Sequence, residues 1–272
     1  MRCSRGRGCG CTPGAAPPQQ FSRGVSAPPG SAGRQVLGIA HNAGNNAGTT
    51  RAALDHGADV IEIDVTTSRG GALVAGRTHG WRWLAERVFR GNTLAVAWNH
   101  AASARIIKLD LQQNDRDLLN ALVDFLRGKA DRPVMVSTRD PDAITYLRAR
   151  LPPNVMLVFS VPFPEAETRV QSDTALSGAI GALSAFQGLI TADLVSWAHQ
   201  HNLLVLAWTI NDTNRLDELL RLNIDGITTA NLAILQALPT DRPRQAVTGS
   251  RRTTPPVTWP QPGRTGLRQA AV

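Results

Sequence analysis

Between Gln35 and Leu238, eight short apolar runs recur, each followed by a polar or helically spaced stretch. They are Val36 to Ala40, Val60 to Val65, Arg105 to Leu111, Pro133 to Ser137, Val155 to Phe159, Gly178 to Leu183, Leu203 to Trp208 and Gly226 to Thr228. Strands buried on both faces read as near-continuous apolar runs, and parallel strands need a crossover, usually a helix. Eight such units predict a small (β/α)8 barrel. The alternative is an open doubly wound sheet, which gathers its chemistry at one switch point. Here chemically able residues end several different strands, which favours the barrel. A span of roughly 200 residues is the low end for that fold, so several helices are expected to be short or missing.

The helices carry their own signals. Asp115 to Gly128 places Leu118, Leu119, Leu122, Val123 and Leu126 at helical spacing. Asp140-Pro141 reads as an N-cap followed by proline at the first helical position, opening a helix towards Leu151. Asp212 reads the same way before Asn214 to Leu222, and Gly57 as the stop of the first helix.

Chemistry concentrates at the strand ends. The second run, Ile61-Glu62-Ile63-Asp64-Val65, puts two acids on one face of an otherwise apolar strand. Burying two like charges side by side is costly unless a positive charge sits between them, and a divalent cation is the simplest such charge. The third run adds Asp110, and in a closed barrel these neighbouring ends share one rim. Glu62, Asp64 and Asp110 are thus expected to hold one hard cation, Mg2+ or Ca2+. His41 ends the first run, and His79 follows a glycine-rich excursion after the second. Two histidines beside a carboxylate-held cation suit proton transfer on a phosphate ester. Lys108 and Arg139 are the candidate phosphate contacts, and Trp208 a candidate pocket wall. Trp81 and Trp83 are candidates for an apolar lip. His56, His100, His199 and His201 are expected on the solvated surface, and Asp212 as a cap only.

Charge locates the remaining function classes. The net charge is +8. Residues 1–34 hold five arginines and no acid, and residues 241–272 hold six against Asp241 alone, so the tails carry +10 and the rest about −2. A nucleic-acid-binding core is therefore not expected, although the tails suit weak contact with an anionic surface. Both tails, 1–34 and 239–272, are rich in Pro, Gly, Ser and Arg and are expected to be disordered, leaving 35–238 as the folded domain. Cys3, Cys9 and Cys11 fall in the first tail without a fourth metal ligand, so free thiols are expected. The absence of an apolar h-region and of any membrane-length apolar run makes the cytoplasm the default location.

These residues resemble the PLC-like phosphodiesterases, in particular the glycerophosphodiester phosphodiesterases. The family's strand-end histidine, its G-A-D-x-I-E-x-D-V segment and its second histidine are matched by Ile39-Ala40-His41, Gly57 to Val65 and His79. Its closing segments are matched by Trp208-Thr209-Ile210-Asn211-Asp212 and Asp225-Gly226-Ile227-Thr228-Thr229. The resemblance implies a metal-dependent phosphodiesterase acting on glycerophosphodiesters or lysophospholipid-like esters, with His41 and His79 as acid and base. Asn42 stands where that family has arginine, Asp110 where it usually has glutamate, and Gln112 where it has lysine. The Asp110 choice and the 21 positions from His41 to Glu62 are closer to the sphingomyelinase D branch. A sphingomyelinase D-like lipid phosphodiesterase and an inactive barrel serving as a binding protein are the alternatives.

Overall fold

The computed structural model describes residues 36–68, 70–76, 92–129 and 132–238. His79, Trp81, Trp83, the three cysteines and both tails lie outside them.

Eight strands run parallel in the order of the chain: β1 (Leu37–Ala40), β2 (Val60–Thr67), β4 (Ile106–Leu111), β5 (Val134–Thr138), β6 (Val155–Val161), β7 (Ala182–Phe186), β8 (Leu204–Trp208) and β9 (Gly226–Thr229). β1 pairs with both β2 and β9, which closes the sheet into a TIM barrel. One short strand, β3 (Leu73–Ala75), turns back antiparallel along the upper end of β2.

The continuous apolar runs reflect two buried faces. Ile39, Val60, Ile106, Met135, Met156, Val158, Ala182 and Leu206 fill the lower barrel interior. The alternate residues meet the surrounding helices in a larger apolar layer. α3 (Arg116–Arg127) shows why such a helix forms and docks. Asp115 Oδ1 accepts from the Leu118 backbone N–H at 3.0 Å, and the leucines at helical spacing are buried. Each buried leucine contributes about 1.5–3 kcal/mol relative to an exposed one.

The expected caps are in place. Asp140 caps α4 (Pro141–Arg148), with Pro141 in the first turn, and Asp212 caps α8 (Thr213–Arg221). Gly57 follows α1 (Ala47–Asp55) at φ 85°, a conformation that favours glycine. The crossover helices are short rather than missing, down to α2 (Leu94–His100) and α6 (Thr174–Ala179).

Two expectations need correction. The run placed at Gly178 to Leu183 begins later: Asp173 caps α6 through the Leu176 N–H, so residues 174–179 are helical and β7 starts at Ala182. His199, at the end of α7 (Ala192–Gln200), is not simply solvated. Its Nε2 lies 2.8 Å from Asp225 Oδ2, which also accepts from the Val205 N–H, tying α7, β8 and the entry to β9 at the lower end of the barrel. Among the described residues, no helix is long and apolar enough to cross a membrane.

Candidate active site

Parallel pairing sets the depth of each side chain. Glu62 lies opposite Lys108, Asp64 opposite Asp110, and Asp110 opposite Ser137. All five belong to the inward-facing alternation that starts at Val60, Ile106 and Met135, so they form two polar layers on top of the apolar floor. One oxygen each from Glu62, Asp64 and Asp110 lies within 4.8 Å of the other two. The sequence expectation of a three-carboxylate cluster at the carboxyl ends of the strands is met in space.

The lower layer is an ion pair. Lys108 Nζ donates to Glu62 Oε2 at 2.9 Å, and both side chains are almost fully buried. Burial by itself pulls the lysine down. The carboxylates of Glu62, Asp110 and Asp64 outweigh it, and the ammonium ends above its ordinary value. His41 Nε2 stands 3.9 Å from the other oxygen, Glu62 Oε1. The His41 backbone N–H donates to Thr229 O at 2.9 Å, which fixes the end of β1 to β9.

The upper layer is neutral apart from its acids. Asp64 Oδ2 accepts from Asn45 Nδ2 at 2.7 Å, and Asn45 Oδ1 accepts the Asp64 backbone N–H at 2.9 Å. Asp110 Oδ1 accepts from Ser137 Oγ at 2.5 Å. Gln112 Nε2 donates to Asp64 Oδ1 at 3.0 Å and to Asp110 Oδ2 at 2.6 Å. Three carboxylates facing one ammonium leave two formal negative charges, and hard oxygen donors of this kind fit a single divalent cation.

The turn after His41 makes the Asn45 clamp possible. Asn42 takes φ 55°, a left-handed conformation that asparagine tolerates better than most residues. This gives a conformational reason for asparagine at a position where the resemblance leads one to expect arginine. A 3-10 turn, Ala43–Asn45, then lies directly on β2. A Cβ on Gly44 would stand 2.3 Å from Ile63 Cγ1 and 2.9 Å from Glu62 O, so only glycine permits that approach.

Across the mouth the wall changes character. Trp208 closes β8, donates Nε1–H to Ser184 O at 2.9 Å and meets the edge of Phe186 at 5.7 Å between ring centroids. Phe186 is 41% exposed, and Phe163 is 49% exposed two residues beyond Val161, which pairs with Ala185. Gln187 donates to Thr209 O, and Arg215 donates to Gln187 O, so the segments that follow Phe186 and Trp208 are tied together. Arg139 is exposed directly after β5.

Asn45 and Ser137 carry no conspicuous mark in the sequence. The asparagines at 42, 45 and 46 beside a strand end were a usable hint for the first, because asparagine favours such turns. Ser137 becomes visible only through the register that sets it against Asp110. Lys108 sits one layer beneath Asp110, with its ammonium on Glu62.

Residues 83–233, more than half of the chain, match the Glycerophosphoryl diester phosphodiesterase family. No curated protein sequence matches. Solved structures share the fold. A phosphodiesterase of Oleispira antarctica in complex with the product sn-glycerol-3-phosphate is 19% identical, with a TM-score of 0.62 over 75% of this chain and 96% of that one. A glycerophosphodiester phosphodiesterase of Parabacteroides distasonis is 18% identical, with a TM-score of 0.56 over 75% and 97%. That of Thermotoga maritima is 16% identical, with a TM-score of 0.53 over 74% and 97%.

Proposed function

As the chain belongs to the glycerophosphoryl diester phosphodiesterase family, a family of phosphoric diester hydrolases, we propose that it hydrolyses glycerophosphodiesters or related lysophospholipid-like phosphodiesters in a metal-dependent reaction. The observation that carries this reading is the convergence of Glu62, Asp64 and Asp110 on one spot at the barrel mouth, with His41 beside Glu62. The bound sn-glycerol-3-phosphate of the Oleispira antarctica protein supports a glycerol phosphate as one product here.

Glu62, Asp64 and Asp110 would hold Mg2+ or Ca2+, which when bound offsets charge on the phosphoryl oxygens. His41 takes or gives the proton at Nε2, and Glu62 Oε1 at 3.9 Å orients the ring. His79 serves as the second acid or base. Arg139 meets the phosphate from the β5 side. Lys108 acts from below as the charge partner of Glu62, because its ammonium is already engaged there. Trp208, Phe186 and Phe163 receive the apolar part of the alcohol, which supports substrates with a lipid-like portion alongside small glycerophosphodiesters. The catalytic domain is assigned to residues 35–238, and the basic segments 1–34 and 239–272 are assigned no more than weak contact with anionic surfaces. No nucleic-acid partner is assigned to the barrel.

The test is a panel of glycerophosphodiesters and lysolipids incubated with the full chain in Mg2+, in Ca2+ and in EDTA, alongside His41→Ala. Turnover that requires a divalent cation and is lost in His41→Ala is expected. Turnover surviving both changes would overturn the assignment.

A further inference from the structure

The three carboxylates do not use their oxygens alike. Glu62 Oε2 accepts from Lys108, Asp64 Oδ2 from Asn45 and Asp110 Oδ1 from Ser137. The second oxygens of the two aspartates share a donor, Gln112 Nε2, at 3.0 and 2.6 Å. That nitrogen also approaches Asp110 O at 3.4 Å. The backbone of Gln112 is held too, since its N–H donates to Val65 O at 3.0 Å.

The orientation of this carboxamide follows from chemistry. An ionised carboxylate only accepts hydrogen bonds, so the NH2 end must face the two aspartates and the carbonyl end must face away. A group that donates to both oxygens stands between them. A cation held by these carboxylates would compete with the carboxamide for the same crowd of oxygens. The NH2 end carries only a partial positive charge, so it relieves the repulsion between Asp64 and Asp110 incompletely.

We propose that the Gln112 carboxamide holds the place of the cation between Asp64 and Asp110 and is displaced when the cation binds. The inference rests on the reading of the acid cluster as a cation site. It makes Gln112 a residue that stabilises the cation-free barrel and, by the same contacts, weakens cation affinity. Hydrogen bonds to charged groups are among the stronger ones in proteins, so losing this competitor has a measurable effect on binding.

The experiment uses the full chain as wild type, Gln112→Met, which keeps length and removes the donor, and Gln112→Asn, which shortens the amide. Mg2+ and Ca2+ are titrated calorimetrically, and thermal denaturation is followed in EDTA and with each cation. In Gln112→Met the dissociation constant should fall about three- to tenfold. Its melting temperature in EDTA should fall by a few degrees, on the order expected for a loss of this size, and the rise on adding cation should be larger than in wild type. Gln112→Asn should lie between the two. Unchanged affinity in Gln112→Met would make the carboxamide a bystander, and weaker affinity would make it a ligand; either result overturns the proposal. If wild type and both variants are folded and bind neither cation, the cation-site reading itself fails and takes this inference with it. That result is distinct from cation binding that is indifferent to residue 112.

Discussion

The two sides of the barrel mouth are built on different principles. Above the apolar floor, the inward residues of β2, β4 and β5 are charged or polar, and Glu62, Asp64 and Asp110 are each held by a donor from a neighbouring element. On β7 and β8, and just after β6, the corresponding rim carries Phe186, Trp208 and Phe163, two of them well exposed. Like charges crowded on one wall need donors and a counter-ion, so that wall is over-determined by hydrogen bonds. The aromatic wall needs only shape and loop ties, and its rings can stay partly in solvent. Under the function proposed above, the phosphate would meet a cation held by the acids, and the alcohol's apolar part would meet the rings.

The largest expected effect comes from the acid side. His41→Ala should lower kcat by about 10²–10⁴-fold, the range for losing a general acid or base, with little change in KM. Steady-state kinetics on a glycerophosphodiester checks this. An equal loss through KM alone would move His41 from proton transfer to binding.

Lys108→Met should come next. It leaves Glu62 buried beside two further acids without its ammonium, and breaking a buried ion pair from one side costs about 3–5 kcal/mol. Urea denaturation in EDTA should show this loss, and a divalent cation should restore more stability than it does in wild type. If the variant is as stable as wild type, the lower polar layer is not the ion pair described here.

Gly44→Ala tests the seat of the Asn45 clamp. The added methyl must push the 3-10 turn away from Ile63 and the Glu62 carbonyl, an overpacking cost of roughly 1–3 kcal/mol. The same displacement loosens Asn45 from Asp64, so cation affinity should fall together with stability. Loss of stability with unchanged cation affinity would separate the clamp from the site.

The smallest effect should come from the aromatic wall. Phe186→Ala removes a partly exposed ring, so stability should change by less than about 1 kcal/mol, as for surface positions. KM should rise several-fold for an acylated substrate and hardly at all for its deacylated counterpart. Equal changes for both substrates would erase the contrast between the walls.

Much of the architecture was legible in the chain because buried parallel strands and capped helices leave local marks. Val60 to Val65 and Asp115 to Gly128 are clear cases. The β7 region was not, since Ala182 to Phe186 is a strand of mostly small residues preceded by a short helix whose cap, Asp173, is easily passed over. At the site, Glu62, Asp64 and Asp110 stood out because acids are unexpected in apolar strands. Lys108 and Gln112 were visible too, but not as donors to these acids. Ser137 reaches Asp110 only through the β4–β5 register, and Gln112 acts on two acids only because β2 and β4 are neighbours. His199 was misjudged for the same reason, its partner Asp225 being 26 positions away.

If the proposed function holds, the acid wall works as a cation-dependent phosphodiesterase site. Its most direct measurement is alcohol release from a glycerophosphodiester by the EDTA-treated full chain, before and after Mg2+ or Ca2+ is restored, compared with Asp64→Asn/Asp110→Asn. No release is expected in EDTA, with recovery on adding the cation and no recovery in the double variant while its barrel remains folded. Release that persists in EDTA, or recovery undiminished in the double variant, would contradict it.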